Sequence, residues 1–303
     1  MANRQIDSGV NKQHVLLNTT ARPLEQQRLR KAFLQRALLF TVAVAIVTII
    51  VFPYYWMIAS SLQGKSVFQW PPEIIPGTVT LSAYQRVFEK YTVALWFRNS
   101  FVVSTMTALL SAAISINAGY ALSRFRTRIN SLFGLVVLLT QMLPATLLVI
   151  PFYVIFRELK LINNLLGVIL ANTTFALPLS IWLMKGFFDS IPADLEEQAQ
   201  VDGCRRVGAF YRITLPLALP GLVVVAVFAF MISWDEFFFA RTLISSQDLW
   251  VLSVGLNSFQ GQYTVEWNEM MAAAVVFTIP AALFFLLIQR YLIRGLTGGA
   301  VKG

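Results

Sequence analysis

The chain has 303 residues, of which 57% are hydrophobic and only 13% are charged. Soluble domains contain about 45–50% apolar and about 25% charged residues, so a soluble globule of this composition would expose large apolar patches to water. Disorder is excluded too, because it requires low hydrophobicity and many charges. The composition therefore indicates a membrane protein.

The charged residues leave six uncharged stretches, each of at least 20 residues. They cover residues 37–64, 99–123, 129–156, 161–184, 213–234 and 270–289. A helix needs about 20 apolar residues to cross the hydrocarbon core of a bilayer. The pattern predicts an all-α, polytopic membrane protein with six transmembrane helices.

The basic residues predict the orientation of these helices. Residues 1–32 are polar and unpatterned, so we expect a mobile cytoplasmic tail rather than a folded domain. Six spans place both termini on one side, and cytoplasmic termini put 17 of the 24 basic residues inside the cell. The net charge of +9 therefore reflects topology and contact with anionic lipid headgroups better than nucleic-acid binding.

The segment after the first span is predicted to be the longest loop outside the membrane, at about residues 62–94. It contains Trp70 and several prolines, and then the pattern Thr80, Leu81, Tyr84, Val87. This spacing favours a short amphipathic helix at the membrane interface. Residues 33–94 thus comprise the first span and an outer loop.

Polar residues within the spans allow two interpretations. Hydroxyl and amide side chains in membrane helices commonly serve helix packing, but they can also line a solute path. Asn172 and Thr174 of the fourth span are candidates for such a path. Asp235 and Glu236, the adjacent acids at the end of the fifth span, are candidates for an outer gate or for helix pairing. At least one proline falls in five of the six spans, and each favours a kink.

The loop between the fourth and fifth spans, residues 187–212, is the most informative segment. Pro192 suits a first helical turn, acidic residues follow it near the positive helix end, and Gly203 can terminate the helix. This predicts a short helix over about residues 192–202. Cys204, which follows this helix, is the one cysteine of the sequence. An internal disulfide is therefore excluded.

The same loop carries a family resemblance. Glu197-Gln198-Ala199, then Gly203, then Ile213-Thr214-Leu215-Pro216 resembles the EAA loop of membrane subunits of ATP-binding-cassette (ABC) importers. In that family the loop forms a coupling helix that docks on a cytosolic ATPase. Gln198 and Cys204 depart mildly from the family pattern. The coupling residues that the resemblance implies are Glu196, Glu197, Ala199, Asp202, Gly203 and Cys204.

From about residue 40 onward, the chain resembles the smaller permease subunit of maltose-type carbohydrate importers. The resemblance rests on the proline-rich outer loop, the Ser233-Trp234-Asp235-Glu236 run and the glycine-rich ending. It implies a type I ABC importer (MetI-like) transmembrane domain over residues 95–290, followed by a cytoplasmic tail over 291–303. In the family this tail reaches between the ATPase subunits, which would involve Gly298, Gly299 and Lys302.

The resemblance also implies partners and a substrate class. The chain has no G-x-x-x-x-G-K-[ST] phosphate loop, so we expect no bound cofactor here, with ATP and Mg²⁺ held by a separate dimeric ATPase. The other expected partners are a second homologous permease and an extracytoplasmic solute-binding protein. The expected substrate is a di- or oligosaccharide or a related polyol, and the expected location is the cytoplasmic membrane of a bacterium or archaeon.

Other function classes have less support in the sequence. No span contains a histidine, and motifs such as H-E-x-x-H and G-x-S-x-G are absent, so we predict no catalytic or metal-binding residue. The alternative is an ion-coupled secondary transporter, which usually carries ionisable groups or broken helices at the membrane midplane. Neither an intramembrane enzyme nor a secondary transporter explains the spacing of the loop at residues 187–212.

Overall fold

The computed structural model of the protein describes residues 4–64, 74–125, 127–259 and 267–300. These residues are mostly helical and form no strand. The helices are α1 (Arg4–Ser61), α2 (Ser82–Lys90), α3 (Val93–Arg124), α4 (Arg128–Leu139), α5 (Ala145–Glu158), α6 (Leu165–Ser190), α7 (Asp194–Val201), α8 (Arg206–Ala209), α9 (Leu215–Asp235), α10 (Phe238–Leu243), α11 (Leu252–Asn257) and α12 (Trp267–Ala300). The chain divides after Met57 into two compact units, the first of which contains most of α1.

Five helical segments of the described chain are long and apolar enough to cross a membrane. A sixth crossing is possible if the bent pair α4 and α5 counts as one span. The all-α membrane fold is thus confirmed. The five segments are Phe33–Ser61, Val93–Arg124, Leu165–Ser190, Arg206–Asp235 and Trp267–Leu286, which we call spans one, two, four, five and six; α4 with α5 is span three.

Span three differs from the expected single helix because it bends by 103° between α4 and α5. Thr140–Met142 forms a 3₁₀ turn, and Leu143 then takes an extended conformation with ψ of 121°. Pro144 explains the break, since proline disfavours a helical conformation in the preceding residue and has no backbone N–H to donate. Pro178 and Pro220, in contrast, lie inside the continuous helices α6 and α9.

Helices α3, α6 and α9 pack together at the centre of the second unit. The backbones of α3 and α6 approach each other closely at Gly119. A Cβ atom added to Gly119 would lie 2.7 Å from Cβ of Met184 and 2.9 Å from the backbone nitrogen of Lys185. Only glycine permits this approach. The three helices therefore form a closely packed frame to which the connecting segments attach.

The short amphipathic helix predicted after the first span is observed as α2. Its residues Ala83 and Val87 are fully buried, whereas Phe88 is half exposed. Two ion pairs attach α2 to the first turn of α12: Nε of Arg86 and Nζ of Lys90 lie 2.7 and 3.2 Å from Oε1 of Glu269. Glu269 is 1% exposed, so α2 is fixed to span six by a buried carboxylate.

Both predicted tails are helical within the described residues. Helix α1 begins at Arg4, so residues 4–32 are helical rather than an unpatterned tail. The stretch 24–39 explains much of this, because it consists almost wholly of strong helix formers such as leucine, glutamine, arginine and alanine. At the other end α12 continues to Ala300, since helix propagation adds one hydrogen bond for each residue that is fixed.

Candidate functional site

The loop that joins α6 to α9 contains the predicted short helix. Helix α7 runs from Asp194 to Val201 and has three acidic residues in its first turn. Carboxylates are favoured there by the positive end of the helix dipole. The backbone N–H of Glu196 donates to the carbonyl of Ala193 at 2.9 Å, an i→i−3 bond that tightens the entry into the helix.

Gly203 ends α7, as the sequence predicts. Its backbone φ of +91° lies in the left-handed region, which residues other than glycine rarely adopt. The N–H of Cys204 donates to the carbonyl of Ala199 at 2.9 Å, and the N–H of Gly203 donates to that of Gln200 at 3.1 Å. These two bonds form a Schellman motif, in which a glycine reverses the chain and satisfies the last carbonyl groups of the helix.

Glu196 points inward from α7 and is 4% exposed. Its Oε1 accepts hydrogen bonds from Nε of Arg124 and from Oγ1 of Thr214, both at 2.8 Å, and its Oε2 accepts one from the hydroxyl of Tyr120 at 2.7 Å. Arg124 and Tyr120 belong to α3, whereas Thr214 ends the π-helical segment Phe210–Thr214 that leads into α9. The carboxylate thus joins α7 to two spans.

Arg124 extends the same contact to α6. Its Nη1 donates to the carbonyl of Phe188 and its Nη2 to the carbonyl of Ile191, each at 3.0 Å. These carbonyl groups lie at the C-terminal end of α6, where backbone acceptors lack helical partners. One guanidinium and one carboxylate therefore connect the ends of α3, α6 and α9 with α7.

The electrostatic balance at Glu196 favours the charged form. Burial raises the pKa of this carboxyl, but the hydrogen bonds from Arg124, Tyr120 and Thr214 and the charge of Arg124 outweigh burial and hold the pKa below its usual value. Glu196 consequently stays ionised at neutral pH. At that pH the contact with Arg124 is therefore an ion pair.

Further contacts support this ion pair. The hydroxyl of Ser123 donates to Oδ1 of Asp189 at 2.6 Å, and Nζ of Lys185 pairs with the other oxygen of that carboxylate at 2.5 Å. The ring of Tyr120 packs on Phe210, with 4.5 Å between ring centroids. The aromatic contact orients the hydroxyl that reaches Glu196.

The opposite face of α7 and the chain that follows it are exposed. Glu197 and Asp202 are exposed, and so are the apolar side chains of Val201 (88%) and Val207 (67%). Beside them a concavity of about 840 Å³ is lined by residues 202–208 and Arg212. Of the six predicted coupling residues, Glu196 and Ala199 thus face the spans, Cys204 is half buried, and Glu197, Asp202 and Gly203 are exposed.

The candidate path residues of span four occupy different environments. Asn172 is 1% exposed and donates through Nδ2 to the hydroxyl of Ser233 at 2.8 Å. That hydroxyl donates in turn to Oγ1 of Thr107 at 3.2 Å, so the three side chains link α3, α6 and α9. Thr174 is exposed, and its hydroxyl donates to the carbonyl of Leu170 within the same helix.

The two acids at the end of span five also separate. Asp235 is exposed and lines a concavity of about 400 Å³, together with residues that include Asn257 and Phe277. Glu236 turns back, and its carboxylate accepts the backbone N–H groups of Phe239 at 2.7 Å and Ala240 at 3.0 Å. Glu236 therefore caps the start of α10.

Of the predicted tail residues, Gly298 and Gly299 lie within α12, whereas Lys302 lies outside the described residues. Three residues of the buried cluster were not predicted as site residues: Tyr120, Arg124 and Thr214. The sequence carries a weak signal for two of them, because Arg124 directly follows an uncharged stretch and Thr214 lies in the Ile213-Thr214-Leu215-Pro216 run of the resemblance. In the sequence the charge of Arg124 indicated orientation only.

Residues 112–298 match the family described as "Binding-protein-dependent transport system inner membrane component". The chain belongs to this family. The predicted resemblance to ABC importer permeases is therefore confirmed, and the protein is a multi-pass component of the inner membrane. Permeases of this family are transport components rather than enzymes.

Curated relatives include permeases of sugar transport systems. The chain is 34% identical over 253 residues to the sulfoquinovosyl glycerol transport system permease protein SmoH of Agrobacterium fabrum, covering 83% of this chain and 89% of the relative. It is 32% identical over 278 residues to the trehalose/maltose transport system permease protein MalG of Thermococcus litoralis, covering 91% and 100%. The carbohydrate branch of the resemblance is thus confirmed.

The fold is shared with a solved importer. A chain from the crystal structure of a bacterial ABC transporter that imports the acidic polysaccharide alginate superposes with a TM-score of 0.74 at 22% identity. The match covers 84% of this permease and 95% of that chain. The likeness shows that the two chains share the same helical fold.

Proposed function

We propose that this permease forms half of the translocation path of an ATP-driven importer for a sugar or a related polyol. The curated relatives support this substrate class, since their names include sulfoquinovosyl glycerol, diacetylchitobiose, trehalose and maltose. The other half of the path is supplied by a second homologous permease. A solute-binding protein delivers the sugar from outside the cytoplasm.

The observation that carries the proposal is helix α7, which lies outside the spans and is fastened to three of them through Glu196 and Arg124. Its exposed face, with Glu197, Val201 and Asp202, docks on a cytosolic ATPase. The predicted orientation agrees, because the basic residues around α7 belong to the side that the positive-inside bias assigns to the cytoplasm. Both termini then lie in the cytoplasm.

In this proposal the dimeric ATPase holds ATP and Mg²⁺, and this chain binds neither. ATP closes the ATPase dimer, α7 moves with its docking cleft, and the attached ends of α3, α6 and α9 follow. The path then opens outward, and hydrolysis returns it to the inward state. The C-terminal tail that includes Gly298, Gly299 and Lys302 contributes a further contact between the ATPase subunits.

The alternative of an ion-coupled secondary transporter has little remaining support. The family is described as a component of a binding-protein-dependent transport system, and spans two, four and five carry no charged residue through their interiors. Secondary transporters usually place ionisable groups or broken helices near the membrane midplane; span three is broken at Pro144, but the interiors of the spans hold no charged side chain. An ion gradient is therefore not expected to drive uptake.

The test is uptake by the whole complex reconstituted in vesicles. This chain is co-purified with a candidate ATPase, second permease and binding protein chosen from the genes that adjoin its own, and radiolabelled maltose, trehalose, diacetylchitobiose and sulfoquinovosyl glycerol are supplied in turn. We expect uptake of at least one sugar that needs both ATP and the binding protein. Uptake driven by a proton or sodium gradient without ATP would refute the proposal. A complex whose ATPase lacks its phosphate-loop lysine serves as the control.

A further inference from the structure

We infer that Glu196 is a positioning residue that makes α7 move as one body with α3, α6 and α9, rather than a residue that contacts the ATPase. The inference rests on the proposed function. It departs from the sequence-based expectation that the acids of α7 together form the docking face. Glu196 is turned away from that face and is 4% exposed.

The geometry distributes the contacts of Glu196 over separate elements. Oε1 is shared between Arg124 of α3 and Thr214 before α9, and Oε2 is held by Tyr120, one turn earlier in α3. Each partner is 2.7–2.8 Å away, which is the range of strong charge-assisted hydrogen bonds. A displacement of α7 away from these partners therefore strains a bond to α3 or to the start of α9.

Arg124 transmits the same displacement to α6. Its Nε holds Glu196 while Nη1 and Nη2 hold the carbonyls of Phe188 and Ile191. The guanidinium is planar, so these three contacts are fixed relative to one another. Ile191 directly follows α6 and lies only three residues before α7. Arg124 thus holds both the last turn of α6 and the first residue of its connection to α7.

Stability alone does not account for this arrangement. Burying an ion pair removes both charges from water, and well-packed apolar side chains of similar volume often serve stability equally well. A rigid link with a defined direction, however, requires several directional bonds that meet at one point. The carboxylate of Glu196 provides such a point for a helix of only eight residues.

The first experiment measures coupling in the reconstituted complex, as sugar transported per ATP hydrolysed. Glu196→Gln keeps the size of the side chain but removes its charge, and we expect the ratio to fall about tenfold, a coupling effect of ordinary size. Tyr120→Phe and Thr214→Val each remove one hydrogen bond and should lower the ratio by about twofold to fivefold. These milder variants decide the matter if Glu196→Gln fails to assemble.

Glu269→Gln is the matched control. Glu269 is equally buried and ion-paired, but it lies in the first turn of α12 and contacts α2. We expect it to lower thermal stability as Glu196→Gln does while leaving the coupling ratio unchanged. An equal loss of coupling in Glu269→Gln, or a normal ratio in all three variants of the Glu196 cluster, would overturn the inference.

The second experiment does not depend on identifying the sugar. Spin labels are placed at Asp194 of α7 and Asn117 of α3, both exposed, in a complex with Cys204 replaced by serine. The unaltered cluster should give a narrow distance distribution that ATP leaves unchanged, and Glu196→Gln should broaden it. A narrow distribution in both proteins would refute the inference. A complex that transports no sugar with ATP refutes the proposed function instead.

Discussion

Gly203 offers a direct test of how the end of α7 is built. Its φ is +91°, and a Cβ atom added there would meet no other atom within 4 Å. The position therefore requires glycine for its backbone conformation and not for lack of space. A left-handed conformation costs an L-residue about 1–2 kcal/mol, and asparagine tolerates it better than alanine or a β-branched residue.

This reasoning predicts the order of variants at Gly203. A cost of 1–2 kcal/mol shifts the population of the native helix end by a factor of about 5–30. Gly203→Asn should retain most ATP-driven uptake, Gly203→Ala should lose about fivefold or more, and Gly203→Val should lose the most. The assay is uptake and sugar-stimulated ATP hydrolysis in vesicles, normalised to the amount of assembled complex, which should not change.

Gly208→Ala is the matched control, because Gly208 is also next to α7 and also has open space around it, but lies in α8 with a negative φ. Alanine is favoured over glycine in a helix by about 1 kcal/mol, so this variant should function normally. If Gly203→Asn were worse than Gly203→Ala, side-chain size at the surface would be deciding the outcome. The argument from backbone conformation would then be wrong.

Three further predictions concern stability. The pKa of Glu196 is lowered in the folded protein, so its stabilising contribution is fully present above the unfolded value of about 4.3 and is lost as the pH falls from there through the lower folded value. Melting curves of wild type and Glu196→Gln should therefore differ at pH 7 and draw together only as the pH falls below about 4.3. Asn172→Ala should lower thermal stability in detergent by about 0.6–2 kcal/mol, because it removes the bond to Ser233; an unchanged melting temperature would contradict this. Gly119→Leu should destabilise by about 1–3 kcal/mol or prevent folding, since it separates α3 from α6, and normal yields of stable protein would refute the close contact.

Local signals in the sequence predicted much of this fold. The uncharged stretches correspond to the spans, and Pro192 and Gly203 predicted α7 to within two residues. The sequence could not distinguish Pro144, where the chain bends by 103°, from Pro178, which a continuous helix accommodates. A proline kink depends on whether neighbouring helices satisfy the freed backbone groups, and that is a property of the tertiary structure.

The buried cluster could not be predicted for a similar reason. Arg124 and Glu196 are 72 residues apart, and each has an adequate local explanation. Arg124 fits the positive-inside pattern, and Glu196 fits the first turn of a helix. Only the packing of α3, α6 and α9 brings the two side chains together and excludes water from them.

Two acidic side chains are buried among the described residues, and they have the same structural role. Glu196 fixes α7 to the spans, and Glu269 fixes α2 to the start of span six. Both fixed helices have eight or nine residues, which is too short for stability in isolation. A carboxylate that loses its water must be compensated by specific donors, so each short helix is held in one position rather than merely against an apolar surface. Placing the few buried charges at these two attachments gives defined orientations to the elements that lie outside the membrane.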